Sequence, residues 1–387
     1  MMVFVKKVER YELNEIKHAI KSGLEKINFS LEGKKSAVLK PNLVLGLPPS
    51  SGVITHPLIT RGTIEILKEH CIKDITILEG PGLGQDPDQV FSKTGYSKMA
   101  EEMGVNILCT DKVKRKKLKW EWGNVQIPVI LLESDLYINL PKLKTHGLTV
   151  VTLALKNQKG IVPAPWKKLI HNHGLHQPIV DLYKVIKPDL SIIDGIEGMQ
   201  GEGPVKGSIV KSHVIVMGEN AVETDIAGSR LMGIKLDEVK HLKFATEQGF
   251  GRKEPEITGD DPESLLINYK RADPEWGRVL KVCSRRNPYA CSMCVIALSR
   301  AIKMALKNPR YWKFIAKFSY YALIEGINII QGKGEPYIPE RGWSVCFGKC
   351  TREIAEKYNL PHIPGCPPEP EDVLNYFFKI IEKREDS

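Results

Sequence analysis

Five short apolar runs, "SAVLK" (36–40), "DITILEG" (74–80), "VNILC" (105–109), "DLYINL" (135–140) and "LSIID" (190–194), recur along the first half of the chain, too far apart to be joined as hairpins. Helical patterns fill the gaps and follow the last run: "HPLITRGTIEILKEH", "DPDQVFSKTGYSKMAEEM", "GLTVVTLALKNQKG", "HQPIVDLYKVIK" and "NAVETDIAGSRLMG". Strands of nearly continuous apolar character need cover on both faces, and crossover helices supply it. The pattern predicts an α/β fold with a mainly parallel, doubly wound sheet.

At 387 residues the chain exceeds the size at which one core stops growing. The alternation ends near "NYKRADPEWGRVLKVCSRRNPYACSMC". Residues 1–278 are therefore read as the α/β domain, and 279–387 as a smaller cysteine-rich α+β domain with two long amphipathic helical stretches and one strand, "GWSVCF". Lys6, Lys7, Glu9 and Arg10 stand where a signal peptide needs apolar residues. Lys313, Lys317 and Glu325 interrupt the longest apolar tract, "WKFIAKFSYYALIEGINII", so no membrane span and a cytoplasmic location are expected. The net charge of +10 and the run "DKVKRKKLKW" invite a nucleic-acid reading. Charges read as spread along the whole chain, however, and this run leads into an alternating strand pair, "LKWEWGNVQIPVIL". A solvated face, with some attraction for small anionic substrates, is expected instead of a nucleic-acid site.

In a reducing compartment the eight cysteines favour metal or catalytic roles over disulfides. Cys71 and Cys109 lie in apolar runs and read as small buried hydrophobes. Cys291 and Cys294 form a C-x-x-C turn that can aim two sulfurs at one centre, with further ligands arriving from distant sequence. Cys346 continues the strand "WSVCFG", whereas Cys350 follows Gly348, where the strand must end. The expected ligands are therefore Cys291, Cys294, Cys350 and Cys366, around a 4Fe-4S cluster. Unligated thiols and zinc are the alternatives, although zinc prefers short pairs at both ends of the site and only one is present. Such a cluster suits an oxidoreductase or an electron carrier with a redox protein partner. The rivals are a non-redox isomerase or lyase with a structural cluster, and a zinc-stapled binding protein.

In an open parallel sheet, ligands bind beyond the carboxyl ends of the strands. After "SAVLK" come Lys40, Asn42, Thr55 and His56. "GPGLGQDPD" reads as a plain turn rather than an anion nest, because Pro81 lacks an N–H and Asp86 and Asp88 repel phosphate. "PKLKTHGLTVVTLALKNQKG" is read as a helix with Lys142, Lys144 and His146 at its start and a polar stripe of Thr149, Thr152, Lys156 and Lys159. "DGIEGMQGEGPVKG" is read as a loop carrying Asp194, Glu197 and Glu202, groups suited to a hard cation or to proton transfer, with a glycine-rich hairpin turn as an equal alternative. His171, His173 and His176 are secondary metal candidates. Lys144, His146, Lys156 and Asp194 are the expected catalytic groups, and Lys40, Asn42, His56 and Asn157 the expected ligand-binding ones.

The set "LKPNLV", "THP", "LPKLKTHGLTVVTLALKNQKG", "IIDGIEGMQGEGP" and "AVETDIAG", spanning roughly 35–230, resembles the uncharacterised family named domain of unknown function 362. The tail "CSMC … FGKC … IPGCPP" is similar to a cysteine-rich extension on some members. The resemblance implies an α/β domain paired with iron-sulfur binding, and no general reaction. A remoter likeness of the α/β region to lactate racemase-type proteins implies metal-assisted proton transfer, but that family's histidines find no residue-by-residue match here.

Overall fold

The computed structural model describes residues 2–385 except 274, 280, 281, 286 and 288. It divides into a first unit, up to Ile170 and again over His176–Ala272, and a second, made of His171–Leu175 and the chain from Asp273. Among the described residues no helix is long and apolar enough to cross a membrane.

The first unit carries β1 (Met2–Lys7), β2 (Ser36–Pro41), β3 (Asp74–Glu79), β4 (Asn106–Cys109), β5 (Arg115–Trp120), β6 (Gly123–Pro128), β7 (Leu136–Leu140), β8 (Lys142–His146), β9 (Val150–Thr152), β10 (Leu190–Gln200), β11 (Ser208–Gly218) and β12 (Glu256–Gly259). One sheet runs β12-β1-β11-β10-β7-β2-β3-β4, with β8 attached to β10 and β9. The five apolar runs are β2, β3, β4, β7 and the start of β10, and they pair in parallel. The carboxyl ends of β7, β2 and β3 therefore lie side by side. Helices Leu13–Lys26 and Pro57–Glu69 turn Ile16, Ile20, Ile59 and Ile64 onto Leu39, Ile77 and Ile138 of the sheet. Each such buried side chain contributes about 1.5–3 kcal/mol. Asp86 caps helix Pro87–Lys93, so the "GPGLGQDPD" turn serves a helix start. The basic run is the outer part of the β5–β6 hairpin, as its alternation requires.

Three expectations are corrected. Residues 147–160 are not one helix: β8 turns back into β9, and only Ala154–Asn157 is α-helical. The β-branched Val150, Val151 and Thr152 favour the pleated form. There is also a vacant place beside β10, which pairs with β7 at Leu190 and Ser191 and then with β8 at Asp194 and Met199. Asp194 and Glu197 stand on this long strand rather than on a flexible loop, because β11 continues the pairing out to Gln200 and Ser208, so the glycine-rich hairpin is the alternative that holds. Cys71 is exposed, at positive φ just past the helix Pro57–Glu69, whereas Cys109 is buried.

The second unit holds β13 (Glu275–Val279), β14 (Val282–Arg285), β15 (Ile327–Gln331), β16 (Trp343–Phe347) and β17 (His362–Ile363) in that spatial order, parallel from β14 onward. Helices Ser292–Lys307, Trp312–Ile324 and Pro370–Glu385 pack Ala297, Ala301, Phe314, Phe377 and Ile381 against Ile329 and Val345. The expected strand "GWSVCF" is β16. The apolar tract before it is a helix followed by the strand β15.

Candidate functional site

Strand alternation places Lys142, Lys144 and His146 of β8 on one face. Lys142 turns to β10: its Nζ donates to Asp194 Oδ2 at 2.8 Å and to the Tyr11 hydroxyl at 2.7 Å, and the pair is 1% and 0% exposed. Asp194 also accepts from the Tyr11 hydroxyl and from the His56 backbone N–H, both at 2.8 Å. The His56 ring stacks on Tyr11 at 3.8 Å, and its Nδ1 accepts from Leu58 N–H. Burial first, and Lys142 in addition, pull the His56 imidazole down to about 4 against the pull of Asp194. A neutral ring, not an imidazolium, faces this pair.

Lys144 turns to the end of β2. Its Nζ donates to Asn42 Oδ1 at 2.7 Å and to Val53 O at 2.6 Å. Asn42 Nδ2 donates to Asn157 Oδ1 at 2.8 Å, and Lys40 Nζ donates to the same oxygen at 3.2 Å and to Glu79 Oε2 at 2.8 Å. Asn157 Nδ2 completes the lattice by donating to Asn139 Oδ1. Gly160 closes it from above: a Cβ there would collide with Glu79 Oε1 and Lys40 Nζ, so only glycine lets the backbone pass. Lys40, Asn42, Lys144 and Asn157 are thus joined by direct hydrogen bonds, while Asp194 and His56 sit in the adjoining Lys142 group.

The amines differ in how well they are paired. Burial lowers Lys40, with Glu79 opposing. Lys144 falls to about 7 through burial and then through Lys142 and Lys40. Lys156 also falls to about 7, through burial and Lys144, and among the described residues one long hydrogen bond at 3.5 Å, to Thr152 Oγ1, holds its ammonium. His146 is set in its own turn, where Nδ1 accepts from the N–H groups of Leu148 and Thr149, which places its proton on Nε2.

Several residues here were not singled out as site groups from the sequence. Asp225, on helix Ala221–Leu231, accepts from the N–H groups of Ala154 and Leu155 at 2.6 and 2.9 Å and so holds the turn that presents Lys156. Burial pushes this carboxyl up to about 8. His241 is fully buried, and neither of its ring nitrogens has a hydrogen-bond partner among the described residues; the same holds for His176 Nδ1 and for both amide atoms of Gln158. His176 and His241 stack at 5.9 Å. Burial, then His176 and Lys156, hold His241 well below its usual range.

In the second unit, Cys294 is buried. Its thiol is pushed up first by a hydrogen bond with Cys291, then by burial and by the nearness of Cys291, Cys350 and Cys366. Burial, followed by Cys291 and Cys366, pushes Cys350 up, while the backbone N–H groups of Gly332 and of Cys350 itself donate to its sulfur. Cys346 is raised to about 11 by burial alone, against a hydrogen bond with Thr351, and feels none of the other thiols. Gly348, at φ +95°, lies beneath the group: a Cβ there would stand 2.9 Å from Cys294 Sγ and 3.9 Å from Cys350 Sγ. Among the described residues no group of three or more His, Cys, Asp or Glu forms a site that could hold a metal ion.

Residues 37–230, half of the chain, match the family described as Domain of unknown function (DUF362). The chain belongs to the DUF362 family. The buried lysine and asparagine lattice of this DUF362 protein lies entirely within the matched region. One relative, the Thylakoid-associated protein sll1697 of a Synechocystis strain, is 27% identical over 209 residues, which cover 51% of this chain and 64% of that protein. The DUF362 chain thus spans under two thirds of that relative's length. The structure of a lactate racemase apoprotein from Thermoanaerobacterium thermosaccharolyticum aligns with a TM-score of 0.40 at 12% identity, covering 98% of this chain and 89% of that one. A likeness that remote transfers no chemistry.

Proposed function

We propose that this DUF362 protein is a cytoplasmic iron-sulfur protein whose α/β unit binds a small anion, acting as an oxidoreductase or as an electron carrier to a redox protein partner. The observation that supports the reading is that Cys291, Cys350 and Cys366 act electrostatically on Cys294, and Cys291 and Cys366 on Cys350, an influence that Cys346 does not share. Neighbouring thiols such as Cys294 and Cys350, both pushed up, ionise together only where a cation compensates them. An iron-sulfur centre supplies that charge, and the N–H donors at Cys350 are of the kind that tune such centres. Zinc would compensate the charge as well, and metal analysis separates the two.

Lys156 and its surroundings support the anion. A largely buried amine with one long hydrogen bond stands near the buried His241 imidazole, whose nitrogens have no hydrogen-bond partner among the described residues, and an anionic oxygen would satisfy both. The same amine, poised near neutrality, supports the second reading, a non-redox isomerase or lyase in which Lys156 or Lys144 moves a proton.

The test of the anion site is titration with inorganic phosphate and with oxalate. Affinity should be greatest below about pH 7 and fall as Lys156 loses its proton above it. Lys156→Met should weaken binding about 10- to 100-fold, the value of one charge-assisted hydrogen bond. Both lysines bind protons less readily when folded. The unfolded chain therefore holds more protons between about pH 7 and 10.5, and stability should rise with pH across that window and flatten below it. Unchanged anion affinity in Lys156→Met would remove Lys156 from the site.

A further inference from the structure

Residues 276–324 hold ten of the chain's 56 Lys and Arg and none of its 46 Asp and Glu. This stretch alone carries the net charge of +10, and everything outside it balances, 46 basic against 46 acidic. The charge is thus confined to one segment, contrary to the even spread expected above.

Helices Ser292–Lys307 and Trp312–Ile324 form most of that segment. Their inner faces place Ala297, Ala301, Ala305, Phe314 and Ala322 in the core. Their outer faces are not polar. Ile302 and Leu306, one turn apart, are 52% and 59% exposed, and Trp312, Tyr320, Leu323 and Ile324 are 59%, 61%, 49% and 59% exposed. The spacings of 8, 11 and 12 residues from Trp312 put the last four on one stripe of the helix. The indole N–H of Trp312 donates to Leu306 O at 3.4 Å and so joins the two stripes. Arg300, Lys303, Lys307, Arg310, Lys313 and Lys317, all exposed, flank them.

We propose that this face lies on a membrane surface rich in anionic lipid, with Trp312, Tyr320, Leu323 and Ile324 entering the interface and the flanking lysines and arginines meeting the headgroups. Surface-lying helices combine these features: aromatic and aliphatic residues on one side, Lys and Arg beside them, and no run long enough to span. The lysine stems can lie along the apolar stripe while their ammonium groups reach the phosphates. Charge complementarity selects this occupant. A second copy of the chain would bring the same ten cations and be repelled. A nucleic acid would use the cations and leave Leu323 and Ile324 without a partner. An anionic bilayer satisfies both halves of the surface.

The test is co-sedimentation of the full chain with sucrose-loaded vesicles of phosphatidylcholine, with and without phosphatidylglycerol. The protein should sediment with the anionic vesicles, and high salt should weaken this. Lys313→Gln with Lys317→Gln should lower the partition coefficient about 25-fold, at about fivefold per charge near an anionic surface. Leu323→Ser with Ile324→Ser should lower it at least about tenfold. All four side chains are exposed, so circular dichroism melting should stay unchanged in both variants and separate lost docking from lost folding. Failure to sediment with phosphatidylglycerol vesicles would overturn the proposal. So would sedimentation untouched by Leu323→Ser with Ile324→Ser, or a concentration-dependent dimer abolished by those two changes. Equal retention on RNA and on anionic vesicles, lost only in the lysine variant, would reduce the face to a phosphate-attracting patch and likewise overturn it.

Discussion

Replacing Asp194 by Asn is expected to lower the folding stability of the α/β unit by about 3–5 kcal/mol, the usual consequence of removing one partner of a buried ion pair. Asp194 accepts from Lys142 Nζ, the Tyr11 hydroxyl and the His56 N–H, each at 2.8 Å, and is wholly buried. Asn keeps the size but removes the charge, so the Lys142 ammonium stays in the interior without compensation. Urea denaturation of the wild-type chain and the variant measures the difference through the midpoint at constant slope. Removing both charges with Lys142→Met and Asp194→Leu should recover much of the loss, because a buried pair is costly mainly when it is halved. A loss below about 1 kcal/mol for Asp194→Asn would mean that water reaches the pair.

Replacing any one of Cys291, Cys294, Cys350 or Cys366 by Ser is expected to abolish iron binding and the broad absorption near ~400 nm of thiolate-ligated iron. Cys346→Ser should retain both, since Cys346 is buried in β16 and faces Thr351 instead of the other thiols. Iron content and absorbance after anaerobic purification decide this. Equal loss in Cys346→Ser would show that the four-thiol set is wrongly drawn.

The parallel core was legible because its strands are continuous apolar runs that few other structures accommodate. Lys40 and Asn42 could be placed at the end of β2 by topology alone. The stretch 147–160 was not legible: Leu148, Val150, Val151 and Leu153 satisfy a helical stripe and a strand equally well, and a vacant edge on β10 decided between them. Asp194 was left open between a loop and a glycine-rich hairpin for a related reason, since the glycines around it mark close approaches within a long strand pair. At Gly198 a Cβ would collide with the Tyr269 hydroxyl. Glu79, Asp225 and His241 gave no pattern in the sequence, because each becomes relevant only through partners far along the chain. The basic segment was hidden by averaging, since its charge stands out only when the balance of the remainder is counted.

The central proposal is that Cys291, Cys294, Cys350 and Cys366 hold an iron-sulfur cluster, and iron, acid-labile sulfide and zinc analysis of the chain purified without oxygen tests it most directly. The account predicts about four iron and four sulfide per chain. One zinc per chain with no sulfide would contradict it.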